Sequence, residues 1–207
     1  NESPTPVMGQ VGGGMLFATD DGDPDLLVVD HSEELVAAEA TGALTIATWL
    51  NLARPQAEQP ASARFVDKWA GSAGGYTLKF NGSVTRAGLN VSAGDGNFTG
   101  GEALLAFAVG DWHHLVGVWQ AQDGRYRVYI DGNLVEERTS SVDSFRATTQ
   151  TLKLGGDGPD FTFEGILDEI SISSVARTET WIRASFLAQR NPGPGQGGLL
   201  VEVGEER

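Results

Sequence analysis

The chain has 207 residues, 40% hydrophobic and 20% charged, which describes one globular domain long enough to bury a substantial core. Its 28 acidic against 14 basic residues give a formal net charge of −14, which repels phosphate backbones and anionic lipid and sets aside nucleic acid as a partner. No apolar run approaches the ~20 residues that span a bilayer, so direct membrane insertion is not expected, and the absence of cysteine removes disulfides and thiolate metal sites.

Residues 1–13, Asn-Glu-Ser-Pro-Thr-Pro through Gly-Gly, read as a polar, flexible lead-in. The start at Asn1, without an apolar signal-peptide core, reads as a mature form or an excised domain. The body, residues 14–190, is a series of short β runs separated by turn residues. Met15–Ala18 and Leu26–Val29 flank an acidic turn. Leu44–Asn51 alternates, with Leu44, Ile46, Thr48 and Leu50 on one face and Thr45, Ala47 and Trp49 on the other. Further strands are predicted at Arg64–Trp69, Tyr76–Phe80, Ala87–Val91, His113–Trp119, Arg125–Ile130, Asn133–Arg138, Thr151–Leu154 and Glu164–Ser173. Asn81-Gly82 and Asp131-Gly132 supply the positive-φ positions of tight hairpin turns. One helix is predicted near 178–187, with Thr178 as cap and Trp181, Ile182, Ser185, Phe186 and Leu187 at helical spacing. Residues 191–207 read as a Pro/Gly linker and tail, with Leu199–Val203 as a terminal strand or the start of a neighbour. Many short strands with regular turns indicate an all-β, two-sheet antiparallel sandwich with one short C-terminal helix.

Catalytic patterns are scarce. Ala70-Gly-Ser-Ala-Gly74 places glycine at the wrong offset for a nucleophile elbow, and Gly155-Gly-Asp-Gly158 lacks the spacing of a dinucleotide turn. His113 and His114, adjacent on a strand, point to opposite faces and do not suit one metal. Glu164 and Asp168 share a face four positions apart, ~13 Å, whereas glycosidase carboxylates stand ~5–9.5 Å apart. Asp21, Asp23 and Asp25 open like a calcium loop, but Leu26 and Ser32 occupy the positions that need Gly and Glu. A looser oxygen cage remains open, because calcium accepts six to eight oxygens at irregular geometry. Four Asn-x-Ser/Thr sequons, at Asn1, Asn81, Asn90 and Asn97, are consistent with chance in loop-rich sequence. Trp49, Trp112, Trp119 and Trp181 lie in apolar-patterned elements and are expected in the core. Trp69, beside Gly71-Ser-Ala-Gly-Gly75, is the candidate for an exposed sugar-stacking platform.

Trp112-His113, Tyr129-Ile-Asp-Gly132, Leu167-Asp-Glu-Ile170 and Ala176-Arg177 occur in one order, with Phe17, Lys68, Gly75-Tyr76 and Leu154-Gly-Gly156 around them. In this the chain, from about Gly14 to Gln189, resembles the laminin-G-like jelly roll of concanavalin A type. The resemblance implies a structural calcium where the first strands meet the late strand, with Asp168 and the early acidic turn at Asp20, Asp21 and Asp23 as its ligands. The Glu-x-Asp-x-x-Glu strand of the glucanases on this fold is not matched here. The ending, Trp181-Ile-Arg-Ala-Ser-Phe186 with its Pro/Gly stretch, is similar to modules of large bacterial envelope proteins, some carrying a biopolymer-transport proton-channel domain.

These readings point to a non-catalytic, extracytoplasmic recognition or adhesion module that binds a glycan or a protein at the cell envelope. A structural spacer supporting neighbouring domains is the alternative, and a glycan-active enzyme stands behind both.

Overall fold

The computed structural model describes residues 3–19, 23–101, 103–104 and 106–190, with Ser83 described in its backbone alone. Two antiparallel sheets carry the chain. The first is built from β1 (Thr5–Met8), β2 (Gly13–Phe17), β4 (Ala43–Leu52), β10 (Trp112–Gln120), β11 (Arg125–Ile130), β12 (Asn133–Thr139) and β14 (Gly165–Ser173), ordered β1-β2-β14-β4-β10-β11-β12. The second contains β3 (Leu27–Val29), β5 (Arg64–Trp69), β6 (Gly75–Asn81), β7 (Ser83–Ser92), β8 (Phe98–Gly100) and β13 (Leu152–Leu154), ordered β3-β13-β5-β6-β7-β8. A two-residue strand β9 (Ala103–Leu104) adds to the flank of β7. Among the described residues the α-helices are a single turn, α1 (Ala38–Thr41), and α2 (Glu179–Gln189). The jelly-roll class expected from the strand pattern is the class observed.

Alternation decides what lies between the sheets. Leu44, Ile46 and Leu50 of β4, with Leu115 and Trp119 of β10, meet Tyr76, Leu78 and Phe80 of β6 and Ala87, Leu89 and Val91 of β7. These side chains are all essentially sealed from water. Phe65 sits at the centre of an aromatic cluster, edge-on to Phe80 and Phe163 at 5.0 and 5.1 Å. Close approach of the sheets depends on Gly117, where an added Cβ would stand 2.4 Å from the Cβ of Leu89. Tyr126 ties the layers with polar bonds, its hydroxyl accepting from Leu89 N and donating to Gly101 O.

The other side of the first sheet is covered by α2. Thr178 caps the helix by accepting from Trp181 N, as the sequence predicted. Ile182 is fully buried against Ala47, Val116, Val118 and Tyr129, while Phe186 stacks on Trp49 at 5.6 Å and on His114 at 6.2 Å. The Asp131-Gly132 turn underlies this packing: Asp131 (φ 51) and Gly132 (φ 74) are both left-handed, and a Cβ on Gly132 would press on Phe186 at 3.1 Å. Asp131 also accepts from His114 N and meets His113 Nδ1, each at 2.9 Å. Trp112 and Trp181, expected in the core, are only half-buried; Trp49 and Trp119 are core residues.

Part of the expected lead-in over residues 1–13 is ordered. Thr5–Met8 pairs with β2 as an edge strand, a setting in which Pro6 is tolerated because an edge strand need not donate on both sides. The linker and terminal strand expected beyond residue 190 lie outside the described residues, as does Asn1. No helix among the described residues is long and apolar enough to cross a membrane.

Candidate functional site

With one sheet covered by α2, the outward face of the second sheet becomes the place to look for a site. Register sets two rows across it. One runs Trp69, Gly75, Ser92, Phe98 and the next runs Lys153, Asp67, Thr77, Asn90, Gly100. In the first row, three strand gaps separate Trp69 from Phe98, ~14 Å between backbones. Gly75 and Ser92 leave the space between them low, so the two large rings lean together. Their centroids are 5.9 Å apart with planes at 88°, an edge-to-face pair. Phe98 is 57% exposed, an unusual position for a bare phenyl ring, and Trp69 is half-buried.

A cleft of about 280 Å³ opens beside this aromatic wall, lined by Trp69, Phe98, Thr77, Asn90, Arg64 and Lys79 together with loop glycines and Ser72. That volume falls just below the ~300–1,000 Å³ of small-molecule sites. The floor is polar and rigid. Asn90 is buried on β7, and its side-chain amide donates to Asn81 Oδ1 at 3.3 Å. Gly100 makes this possible, since a Cβ there would fall 2.0 Å from Asn90 Oδ1. The Gly71–Ala73 turn and the 93–97 loop close one end and are joined by Gly96 N donating to Ser72 O.

Charges under the cleft are arranged in a chain. Arg64 bridges Asp67 at 2.8 Å and Asp157 at 2.9 Å, its guanidinium rests over the Phe161 ring at 4.4 Å, and Lys153 pairs with Asp157. Asp67 is almost completely buried, which pushes its carboxyl above the usual range, opposed by the Arg64 charge and the neighbouring Thr77 hydroxyl. That hydroxyl and Asp67 Oδ1 are both sealed from water without a well-formed hydrogen bond between them.

Of the four residues expected to bind a metal, the described ones are Asp23 and Asp168. Asp168 is buried on β14, where Oδ2 accepts from Val11 N at 2.8 Å and Oδ1 from Glu169 N at 2.7 Å. A Cβ on Gly9 would fall 2.4 Å from that carboxylate, so the glycine is needed for it. The described flanks of the early acidic turn have other partners. Thr19 donates to Glu164 Oε1, Asp25 accepts from Ala18 N, and Phe17 pairs with Gly165, three positions before Asp168 and ~10 Å away. Asp23 belongs to that turn; Asp20 and Asp21 lie outside the described residues. β2 runs antiparallel to β14, away from Asp168 and toward Glu164. Glu164 is engaged by Arg54 at 2.9 Å. Among the described residues no three His, Asp or Glu side chains converge as a metal-ion site. Glu164, just before β14, and Asp168, four positions along, thus have separate partners.

Trp69 was legible as a platform from the glycine-rich stretch beside it. Phe98, Asn90, Thr77, Lys79 and Arg64 were not, because their convergence depends on the register of four strands. The sequence signal that marks Phe98 is an aromatic between Asn97 and Thr99 in a Gly-rich stretch with no apolar partner nearby.

A laminin-G-type family model, described as the concanavalin A-like lectin/glucanases superfamily, matches residues 24–183. No curated protein matches the sequence. Among solved structures, a botulinum neurotoxin type C structure, whose cell entry is described as dependent upon interaction with two ganglioside molecules, aligns with a TM-score of 0.71 at 10% identity, over 91% of this chain and 46% of its own. The binding domain of botulinum neurotoxin DC aligns in complex with rat synaptotagmin II (TM-score 0.72, 10% identity, 90% of this chain, 46% of that one) and in complex with SialylT (0.70, 10%, 92%, 46%). The chain therefore spans less than half the length of these structures, and at such identity the likeness is one of fold.

Proposed function

Because the chain belongs to the concanavalin A-like lectin/glucanases superfamily, we propose that it is a non-catalytic recognition module that binds a glycan in the Trp69–Phe98 cleft. One observation carries the reading: an edge-to-face aromatic pair, one ring more than half exposed, stands over a floor of buried Thr77 and Asn90. Aromatic faces take the apolar face of a pyranose ring, and fixed amide and hydroxyl groups beside them take its hydroxyls. The ganglioside and SialylT descriptions of the fold neighbours agree with such a use of the scaffold. Function on this fold still lives in the site and not in the scaffold. Non-catalytic action is favoured by the separate engagement of Glu164 and Asp168, the two acids that the sequence places on one face of the late strand. Adhesion or recognition at a cell envelope is the biological role this assigns, with the domain facing outside the cytoplasm where such glycans are displayed.

A glycan array probed with the wild-type chain and with Trp69→Ala tests the proposal. Binding to a defined glycan set, lost in Trp69→Ala with the fold intact by circular dichroism, is expected. Absence of binding, or binding that survives both Trp69→Ala and Phe98→Ala, would leave the spacer reading in its place.

A further inference from the structure

We infer that the ligand of this cleft is an uncharged glycan; this rests on the glycan reading above and adds its chemical class. Beside the aromatic wall, the uncharged polar side chains that line the cleft are Ser72, Thr77 and Asn90. Each carries both a donor and an acceptor. A sugar hydroxyl likewise donates and accepts, so it matches this set group for group, whereas a carboxylate only accepts. Asn90 sharpens the difference. Its amide nitrogen is committed to Asn81 Oδ1 at 3.3 Å, and its Oδ1 lies over Gly100, where an added Cβ would stand 2.0 Å away. The amide atom left for a ligand is therefore an acceptor, which takes an O–H and repels a second acceptor.

Charge points the same way. The charged side chains that line the cleft, Arg64 and Lys79, are both engaged. Arg64 is held between Asp67 at 2.8 Å and Asp157 at 2.9 Å, and Lys153 shares Asp157, so two cations face two carboxylates and their charges cancel. An anionic sugar would have to displace a carboxylate already in place, and a chain of net charge −14 opposes its approach. An amino sugar finds no carboxylate among the described residues that line the cleft. The Asp95 carboxylate, on the loop at its end, accepts from Asn97 N at 3.0 Å. A charged ligand group would thus be desolvated against Trp69 and Phe98 without a counter-ion, a cost that an uncharged ring avoids.

The test is an array of neutral oligosaccharides, acidic ones as free carboxylates and the same acidic ones as methyl esters, followed by calorimetry of the full chain. The tightest neutral hit is titrated beside its own uronate, made by oxidising its primary alcohols to carboxylates. The neutral form is expected to bind about tenfold tighter, with an affinity that sodium chloride leaves unchanged, and Trp69→Ala should abolish it. Asp157→Asn removes one of the two carboxylates on Arg64 and should bring the uronate several-fold closer to the neutral form. Equal or tighter binding of the uronate, or of free acids over their esters, overturns the uncharged class; its loss in Trp69→Ala would leave the glycan cleft standing. An unchanged ratio in Asp157→Asn also overturns the inference, since the paired charges would then not be what turns the anion away. No binding in any arm, or binding unaltered in Trp69→Ala, removes the inference and the glycan cleft together.

Discussion

The Asp168 carboxylate accepts a hydrogen bond from the Val11 backbone N–H at 2.8 Å, joining the loop between β1 and β2 to the late strand β14. An ionised acceptor in a buried setting makes this bond stronger than an ordinary amide pair. The backbone N–H of Glu169 completes the set, and Glu169 itself is held at a left-handed φ of 48 next to the irregular pairing of β14 with β4.

Asp168→Ala should therefore destabilise the domain by ~1–3 kcal/mol, the range for leaving buried donors unsatisfied. The loss is expected to be the same in EDTA and in calcium, because the acceptor role needs no ion. Chemical denaturation of wild type and variant in both media checks this. A calcium-induced rise in the wild-type midpoint that Asp168→Ala abolishes would restore the ligand role implied by the resemblance.

Ile182→Ala should cost ~2–5 kcal/mol, since the side chain is fully enclosed between α2 and the first sheet. Phe186→Ala should cost less, because Phe186 is only half-buried although it stacks on Trp49 and His114. Urea midpoints rank the two; a larger loss for Phe186 would show that the stack, and not the aliphatic contact, anchors the helix.

His114 gives a pH signature. Burial lowers its pKa to about 4, with the Asp131 charge opposing, so the folded protein keeps it neutral where the unfolded chain protonates it near the ordinary value of 6.5. Above that value the residue adds no pH dependence. Between 6.5 and about 4 the unfolded state binds more protons and stability falls as pH falls, by up to ~1.4 kcal/mol per pH unit. His114→Gln should show a smaller drop in denaturant midpoint between pH 7 and pH 4.5 than wild type. Identical drops would place the pH sensitivity on other groups.

How far the sequence could be read follows from how local each feature is. The alternation over Leu44–Leu50 and the Asp131-Gly132 turn are local, and both appear where expected. The helix is predicted near 178–187 and found at Glu179–Gln189, because a cap and helical spacing mark it within a dozen residues. Thr5–Met8 is a strand only because β2 offers it an edge, and a segment containing Pro6 carries no strand signal of its own. Phe98–Gly100 fails for the same reason, lying among glycines and pairing with β7 alone. Trp69 could be suspected, whereas its pairing with Phe98 requires the sizes of Gly75 and Ser92 and the register of β5, β6, β7 and β8 together. Asp168 was legible as a strand acid but not as a partner of Val11, since nothing near it in sequence shows which loop will come to rest there.

Gln10 sits beside that loop, and its side-chain amide donates to the carbonyls of Gln189 and Arg190 at the end of α2. Residues 10 and 190 are thus held side by side by a clasp that also occupies helix carbonyls left without intrahelical donors. The clasp couples two distant segments: fraying of the last turn of α2 must release the same β1–β2 loop that supplies the Val11 N–H to Asp168, so the two loosen together.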